Sequence, residues 1–183
     1  MAMQKGFRAL RAQLQELQEA LEALNTTVEE DRPKRKDVVV ASSLGDAVLA
    51  VRGILEESRV AADEACEAVR HHLDVDRARR ALTTCQERFH HFEAEFSHDL
   101  ASYERMADLA SVAQERGREW ASWVKVVKQG LEQCQALVEA GRDALFLCWQ
   151  DLTERLGTAS VQVRNISIGQ LAKDFDRRGD TKG

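Results

Sequence analysis

The chain has 183 residues, 31% of them charged, and its 31 Asp and Glu against 26 Lys and Arg leave a net charge of −5. That length suits one domain with a real core, or a bundle plus tails, and argues against a second full domain. The acidic balance argues against a general nucleic-acid binder, because neutralising phosphates takes clustered Lys and Arg.

The one basic run, RPKRK at 32–36, is local and reads as a solvated linker. The opening MAMQKGFRALRAQLQ lacks the apolar run of a secretory signal, and the most apolar stretch, 38–55, carries Asp46 and Arg52, so no membrane span is expected. A cytoplasmic protein is the corresponding expectation. Cys66, Cys85, Cys134 and Cys148 show no CxxC spacing, which argues against a zinc knuckle or a disulfide scaffold and for small buried apolar side chains.

A single proline, Pro33, and a composition rich in Ala, Leu, Glu, Gln and Arg predict helix almost throughout. Over 1–30, Phe7, Leu10, Leu14, Leu17, Leu21, Leu24 and Val28 alternate spacings of three and four, a heptad seam. Such a seam closes either on the chain's own bundle or on a second copy, and Leu14, Leu17 and Leu21 are the residues that would carry self-association. Residues 31–42 read as a basic linker. A second helix is predicted over 43–73, capped by Ser42 or Ser43, with Val48, Val51, Leu55, Ala62, Ala65 and Val69 inward.

Asp74 or Asp76 caps a third helix over 76–115, whose stripe reads Leu82, Cys85, Phe89, Phe92, Phe96, Leu100, Tyr103, Ala107 and Ala110, with Gly117 as a stop. A fourth, over 119–156, carries Trp120, Val124, Val127, Leu131, Cys134, Val138, Gly141, Leu145, Cys148 and Leu152. Segments of roughly 30–38 residues would be about 45–57 Å long, the proportions of an elongated antiparallel bundle. The fold class is therefore all-α: a three- or four-helix, coiled-coil-like bundle over 43–157, with an N-terminal heptad helix and an extended tail over 158–183.

FHHFEAEFSH at 89–98 looks most like chemistry, since Glu87-x-x-His90 and Glu95-x-x-His98 match the Glu-x-x-His pattern of di-iron bundles. Such a site needs the motif on two helices and its ligands inside. Here both copies fall on one helix, and at 100° per residue His91, Glu95 and His98 lie roughly opposite the phenylalanines. A solvated face is the better reading, and no metal or cofactor is expected. His71 and His72 suit a helix C-terminus, where the dipole favours an imidazolium. With no Gly-rich phosphate loop, nucleophile elbow or RNA-binding sheet motif, nothing argues for an enzyme or a small-molecule substrate.

Two features point to partners. ALFLCW at 144–149 is apolar around most of the helix, and Leu147 lies about 180° from the seam, so this end is either covered by the first helix or a sticky surface for a partner. SVQVRNISIGQ at 160–170 alternates at Val161 and Val163 and again at Ile166 and Ile168, and reads as a strand able to add to another chain's sheet edge or to 37–41 of a second copy. The function expected is a non-enzymatic interaction or assembly module, with a protein partner or a second copy, acting through helix packing and tail docking. The alternatives are a membrane-active, pore-forming-like bundle in which 38–55 inserts, and a metal-binding bundle.

Overall fold

A computed structural model describes residues 2–34, 38–71 and 74–164, with side chains described over 4–154 of these. Among them the chain is all helical, with no strand. Five helices follow one another: α1 (Ala2–Glu29), α2 (Val39–His71), α3 (Val75–Asp99), α4 (Tyr103–Arg116) and α5 (Arg118–Arg164).

The heptad seam closes within the chain. Leu10, Leu14, Leu17 and Leu21 are fully buried, with Phe7, Leu24 and Val28 beside them, because α1 lies between α2 and α5 and packs extensively on both. Leu14, Leu17 and Leu21 are thus core residues and not a free self-association surface. α1 and α2 run antiparallel, with Arg11 Nε 2.9 Å from an Asp63 oxygen, and α2 and α3 likewise, with Arg88 opposite Glu57 and Arg77 opposite Glu64.

α5 descends along α1. The Trp123 indole N–H donates to the Thr27 carbonyl at 2.8 Å near one end, and Gly6 lies beside Asp151 and Cys148 at the other. The result is an up-down-up-down bundle, with α4 extending the third leg beside the first turns of α5.

α2 meets α3 through small side chains. Ala61, Ala62, Ala65 and Ala68 are buried, and the buried Ser58 hydroxyl donates to the Cys85 carbonyl at 3.0 Å, so its polarity is satisfied inside the core. Phe89, Phe92 and Phe96 form a ring ladder with centroids 5.8 and 5.7 Å apart, which fills the centre.

Element boundaries differ from the sequence expectation in three places. α2 begins at Val39, so VVA at 39–41 is helical and not strand, and Ser42 and Ser43 lie inside the helix. The reason is burial: Val38, Ala41, Leu44 and Val48 are covered at helical spacing.

The third helix is broken at 100–102, where the Ser102 hydroxyl accepts the Arg105 N–H at 3.2 Å and starts α4. The break resets the phase. Tyr103 is 89% exposed, Ala107 and Ala110 are also exposed, and Leu109 and Val112 are buried in their place. Asp74 caps α3 through the Arg77 N–H at 2.9 Å, and Gly117, at φ 92°, stops α4 where a side chain would be strained.

α5 runs through Gly157 to Arg164, since one helical glycine costs only about 1 kcal/mol. Residues 160–164, with the backbone of Val161 and Val163, are therefore helical and not strand. Ile166 and Ile168 lie outside the described residues.

Two glycines separate propensity from packing. A Cβ on exposed Gly53 meets nothing within 4 Å, whereas one on buried Gly141 comes 2.9 Å from Phe89 Cζ. Gly53→Ala is expected to stabilise the protein by about 0.5–1 kcal/mol, the helix propensity gain. Gly141→Ala is expected to be net destabilising by about 1 kcal/mol, because overpacking costs about 1–3 kcal/mol against the same gain. Urea midpoints of both variants check the pair; equal shifts would mean that Phe89 does not hold its place. Leu17→Ala is expected to cost about 2–5 kcal/mol through cavity formation while leaving the mass of the folded particle unchanged in light scattering. A change of mass without loss of stability would assign the seam to contacts between chains.

Candidate functional site

The bundle is not equally tight all round. α2 with α3, α1 with α5 and α1 with α2 share long interfaces, whereas α3 touches α5 sparsely. The seam between α3 and α5 stands open as a groove of about 370 Å³, lined by Gln86, Phe89, His90 and Glu93 on α3 and by Arg142, Leu145, Phe146 and Trp149 on α5.

The lining follows from helical spacing. Gln86, His90 and Glu93 stand at i, i+4 and i+7 on the flank of α3, and Arg142, Phe146 and Trp149 repeat that spacing on the facing flank of α5. Phe89 and Leu145, almost wholly covered, form the floor. Because the helices are antiparallel, Glu93 meets Arg142 at one end, with Arg142 Nη2 and Nε donating to Glu93 Oε2 at 2.7 and 3.2 Å. The Glu93 hydrogen bond and charge raise the Arg142 pKa further. The pair is largely exposed on the Arg142 side and ties the two helices at only about 0–1 kcal/mol.

Two features of the groove are unusual for a closed bundle. Phe146 is 69% exposed, the most exposed phenylalanine among the described residues. The Trp149 indole N–H is shielded from solvent yet has no acceptor among the described residues. A closed bundle covers such a phenylalanine and pairs such a donor.

The residues singled out from the sequence are distributed differently. Leu147 is 53% exposed, but it lies on the outer face of α5 and does not line the groove. Phe146 does, from a position outside the apolar stripe of α5; its signal in the sequence is the i, i+4 and i, i+3 spacing from Arg142 and to Trp149. Leu14, Leu17 and Leu21 are in the core, nothing is described of the Val161 and Val163 side chains, and Ile166 and Ile168 lie outside the described residues.

The histidine face points outward: His90 and His91 are exposed, and the His98 side chain is 84% exposed. His91 Nε2 stands 3.8 Å from Glu95. Among the described residues no three His, Cys, Asp or Glu side chains stand close enough together to hold a metal ion. No described helix is long and apolar enough to cross a membrane, and the start of 38–55 is packed into the core through Leu44, Val48, Val51 and Leu55.

The four cysteines are free and buried. Burial pushes the Cys85 thiol up to about 11, against a smaller lowering by the Ser58 hydrogen bond. It pushes the Cys134 and Cys148 thiols up to about 12. Burial also raises Cys66, beside Asp63 and Glu67, which raise it, and Arg11 and Arg8, which lower it. Neutral thiols packed among apolar side chains are poor nucleophiles and do not supply chemistry to the groove.

No protein-family model matches this chain, and neither a curated protein nor a solved structure matches it at a significant level.

The thiol shifts make stability depend on pH. The unfolded chain ionises its thiols near the ordinary value of 9.0 while the folded chain keeps Cys85, Cys134 and Cys148 protonated, so stability is intact below 9 and falls as pH rises toward 11–12. The urea midpoint is expected to fall between pH 8 and pH 10. At pH 8 an aromatic disulfide reagent is expected to titrate at most Cys66 in the native protein and all four thiols after unfolding. Rapid reaction of several thiols in the native state would contradict the burial.

Proposed function

We propose that this protein is a non-enzymatic interaction module whose docking site is the open seam between α3 and α5. The observation that carries the reading is Phe146, an aromatic side chain 69% exposed on a groove of about 370 Å³ whose floor is Phe89 and Leu145. Grooves with an apolar floor, one or two aromatic anchors and a polar rim are how helical surfaces take peptide segments, because buried aromatic contacts supply most of the binding energy. Gln86, His90 and the Glu93–Arg142 pair form that rim.

The groove suits an apolar side chain flanked by polar or charged ones. Arg142, 58% exposed even while paired with Glu93, keeps donors free for a second carboxylate. Leu147, on the outer face of α5, is a separate sticky position and not part of this site. Nothing in the groove supplies a nucleophile, a thiolate or a set of metal ligands, so binding is the whole of the activity proposed.

Peptides selected from a random library on the immobilised protein test this reading. They are expected to carry an apolar or aromatic anchor and to lose at least tenfold in affinity on Phe146→Glu, roughly 1.4 kcal/mol or more. The same substitution is expected to leave the urea midpoint within about 0.5 kcal/mol of wild type, as for a surface position. Selected peptides that bind equally well to Phe146→Glu, and compete with one another elsewhere, would move the site away from this seam.

A further inference from the structure

We propose that the open seam takes an amphipathic α-helix of a partner protein, laid along α3 and α5 with a Lys or Arg of that helix at the Glu93 end; this deepens the docking reading above and depends on it. Backbone chemistry selects a helix over an extended segment. The groove runs from Gln86 to Glu93 on α3 (Val75–Asp99) and from Arg142 to Trp149 on α5 (Arg118–Arg164), so both walls are helix interior. Interior residues spend their backbone N–H and C=O groups on their own helix. Among the described residues the groove therefore offers a ligand only side-chain groups, unlike a sheet edge, which receives an extended strand through backbone hydrogen bonds. An extended segment laid over Phe89, Leu145 and Phe146 would bury backbone groups with nothing to pair them. A helix arrives with those groups already paired.

The dimensions of the groove agree. Each wall spans seven residue steps, about 10.5 Å or two helical turns at 1.5 Å per residue. A helix lying against two antiparallel helices presents side chains at i, i+3 or i+4 and i+7 over the same distance, and these fill a seam of this length. A second copy of this chain does not supply such a stripe. Besides Phe146, the exposed large apolar side chains among the described residues are Val39, Leu49, Val60, Tyr103, Val126 and Leu147, and no two of the seven stand at i, i+3 or i, i+4. The remaining apolar stripes of the five helices are spent on the chain's own core.

Charge distinguishes the two ends. Glu139 stands three residues before Arg142 on the same flank of α5, Asp143 is its neighbour, and both are exposed. Both act on the guanidinium: the Glu93 hydrogen bond and charge raise the Arg142 pKa most, and Glu139 and Asp143 raise it further, against a lowering by desolvation. The donors that Glu93 leaves free on Arg142 thus have carboxylates of the same chain at hand. Three carboxylates against one guanidinium leave this end of the groove acidic, and a basic side chain on the incoming helix complements it. The other end, at Gln86 and Trp149, has no charged lining residue. The occupant is accordingly an apolar stripe at helical spacing with a basic residue at one end.

The test uses the full chain and synthetic peptides selected on it from a random library, long enough for four helical turns. The peptides are expected to carry apolar residues at i, i+3 or i+4 and i+7 with a Lys or Arg beside that stripe, and to gain helical circular dichroism on binding. Proline at a central position outside the apolar stripe is expected to cost them at least about tenfold in affinity. Glu139→Lys combined with Asp143→Lys is expected to weaken them about fivefold at low salt and much less in 1 M salt, where the screening length is about 3 Å. The urea midpoint of that double variant is expected to stay near wild type, since both positions are exposed.

Peptides that need Phe146 yet keep their affinity through the proline change, or whose apolar residues fall at i, i+2 and i+4, overturn the helix and leave the docking groove standing. Peptides indifferent to Phe146→Glu overturn the groove and the helix together. Affinity untouched by the double charge reversal at low salt overturns the basic complement at the Glu93 end. A full-chain dimer that Phe146→Glu dissociates, seen by light scattering, places a second copy in the seam and overturns a separate partner.

Discussion

The architecture depends on one constraint, the need to cover the apolar seam of α1. Seven large side chains from Phe7 to Val28 recur along one face of a 28-residue helix, and water must be kept from all of them. Two helices lying side by side on α1 achieve this, so α2 and α5 are fixed by the same seam. α3 is then fixed by α2, through the alanine-rich surface that includes Ala61, Ala65 and Ala68. Each long interface is assigned before α3 and α5 meet. Their contact is what remains after the other three are satisfied, and it is correspondingly thin.

That order accounts for the placement of the groove. Where α3 and α5 come together, Gly141 admits the Phe89 ring against the α5 backbone, and the groove that has Phe89 in its lining opens beside this contact. A larger residue at 141 would fill the approach; a larger contact area would bury Phe146. The sequence does neither, and leaves an aromatic side chain and a charged pair along one open flank, with a shielded indole N–H beside them. The apolar area of such a flank stays exposed unless something occupies it.

The cysteines and histidines show how environment, and not residue type, decides chemistry. Cys85, Cys134 and Cys148 are held neutral by the apolar surroundings that make them useful as packing, with pKa values pushed to about 11–12. The histidines have the opposite situation, spread over a solvent face with carboxylate neighbours of their own. A dense motif on a single helix brings few groups together, because a helix surface diverges; clustering needs at least two elements facing each other.

Sequence alone determined the helical class, the buried stripes of the first, second and last helices, the choice of Asp74 or Asp76 as a cap, and the Gly117 stop. These are local matters: periodicity, capping and the conformational freedom of glycine act within a few residues. It also placed His91, Glu95 and His98 on the outer face, by the wheel alone. It missed the break at 100–102, since the apolar stripe runs past Ser102 without a proline or glycine to interrupt it, and it extended the strand reading into 160–164, where helix continues.

What only the tertiary structure decided is pairing. A heptad seam has the same pattern whether its partner is the same chain or another, and the burial of Leu14, Leu17 and Leu21 between α2 and α5 answers that question. The groove was likewise invisible, because Phe146 and Trp149 acquire meaning only beside Gln86, His90 and Glu93, more than fifty residues away on a helix whose distance from α5 is set by contacts elsewhere in the bundle.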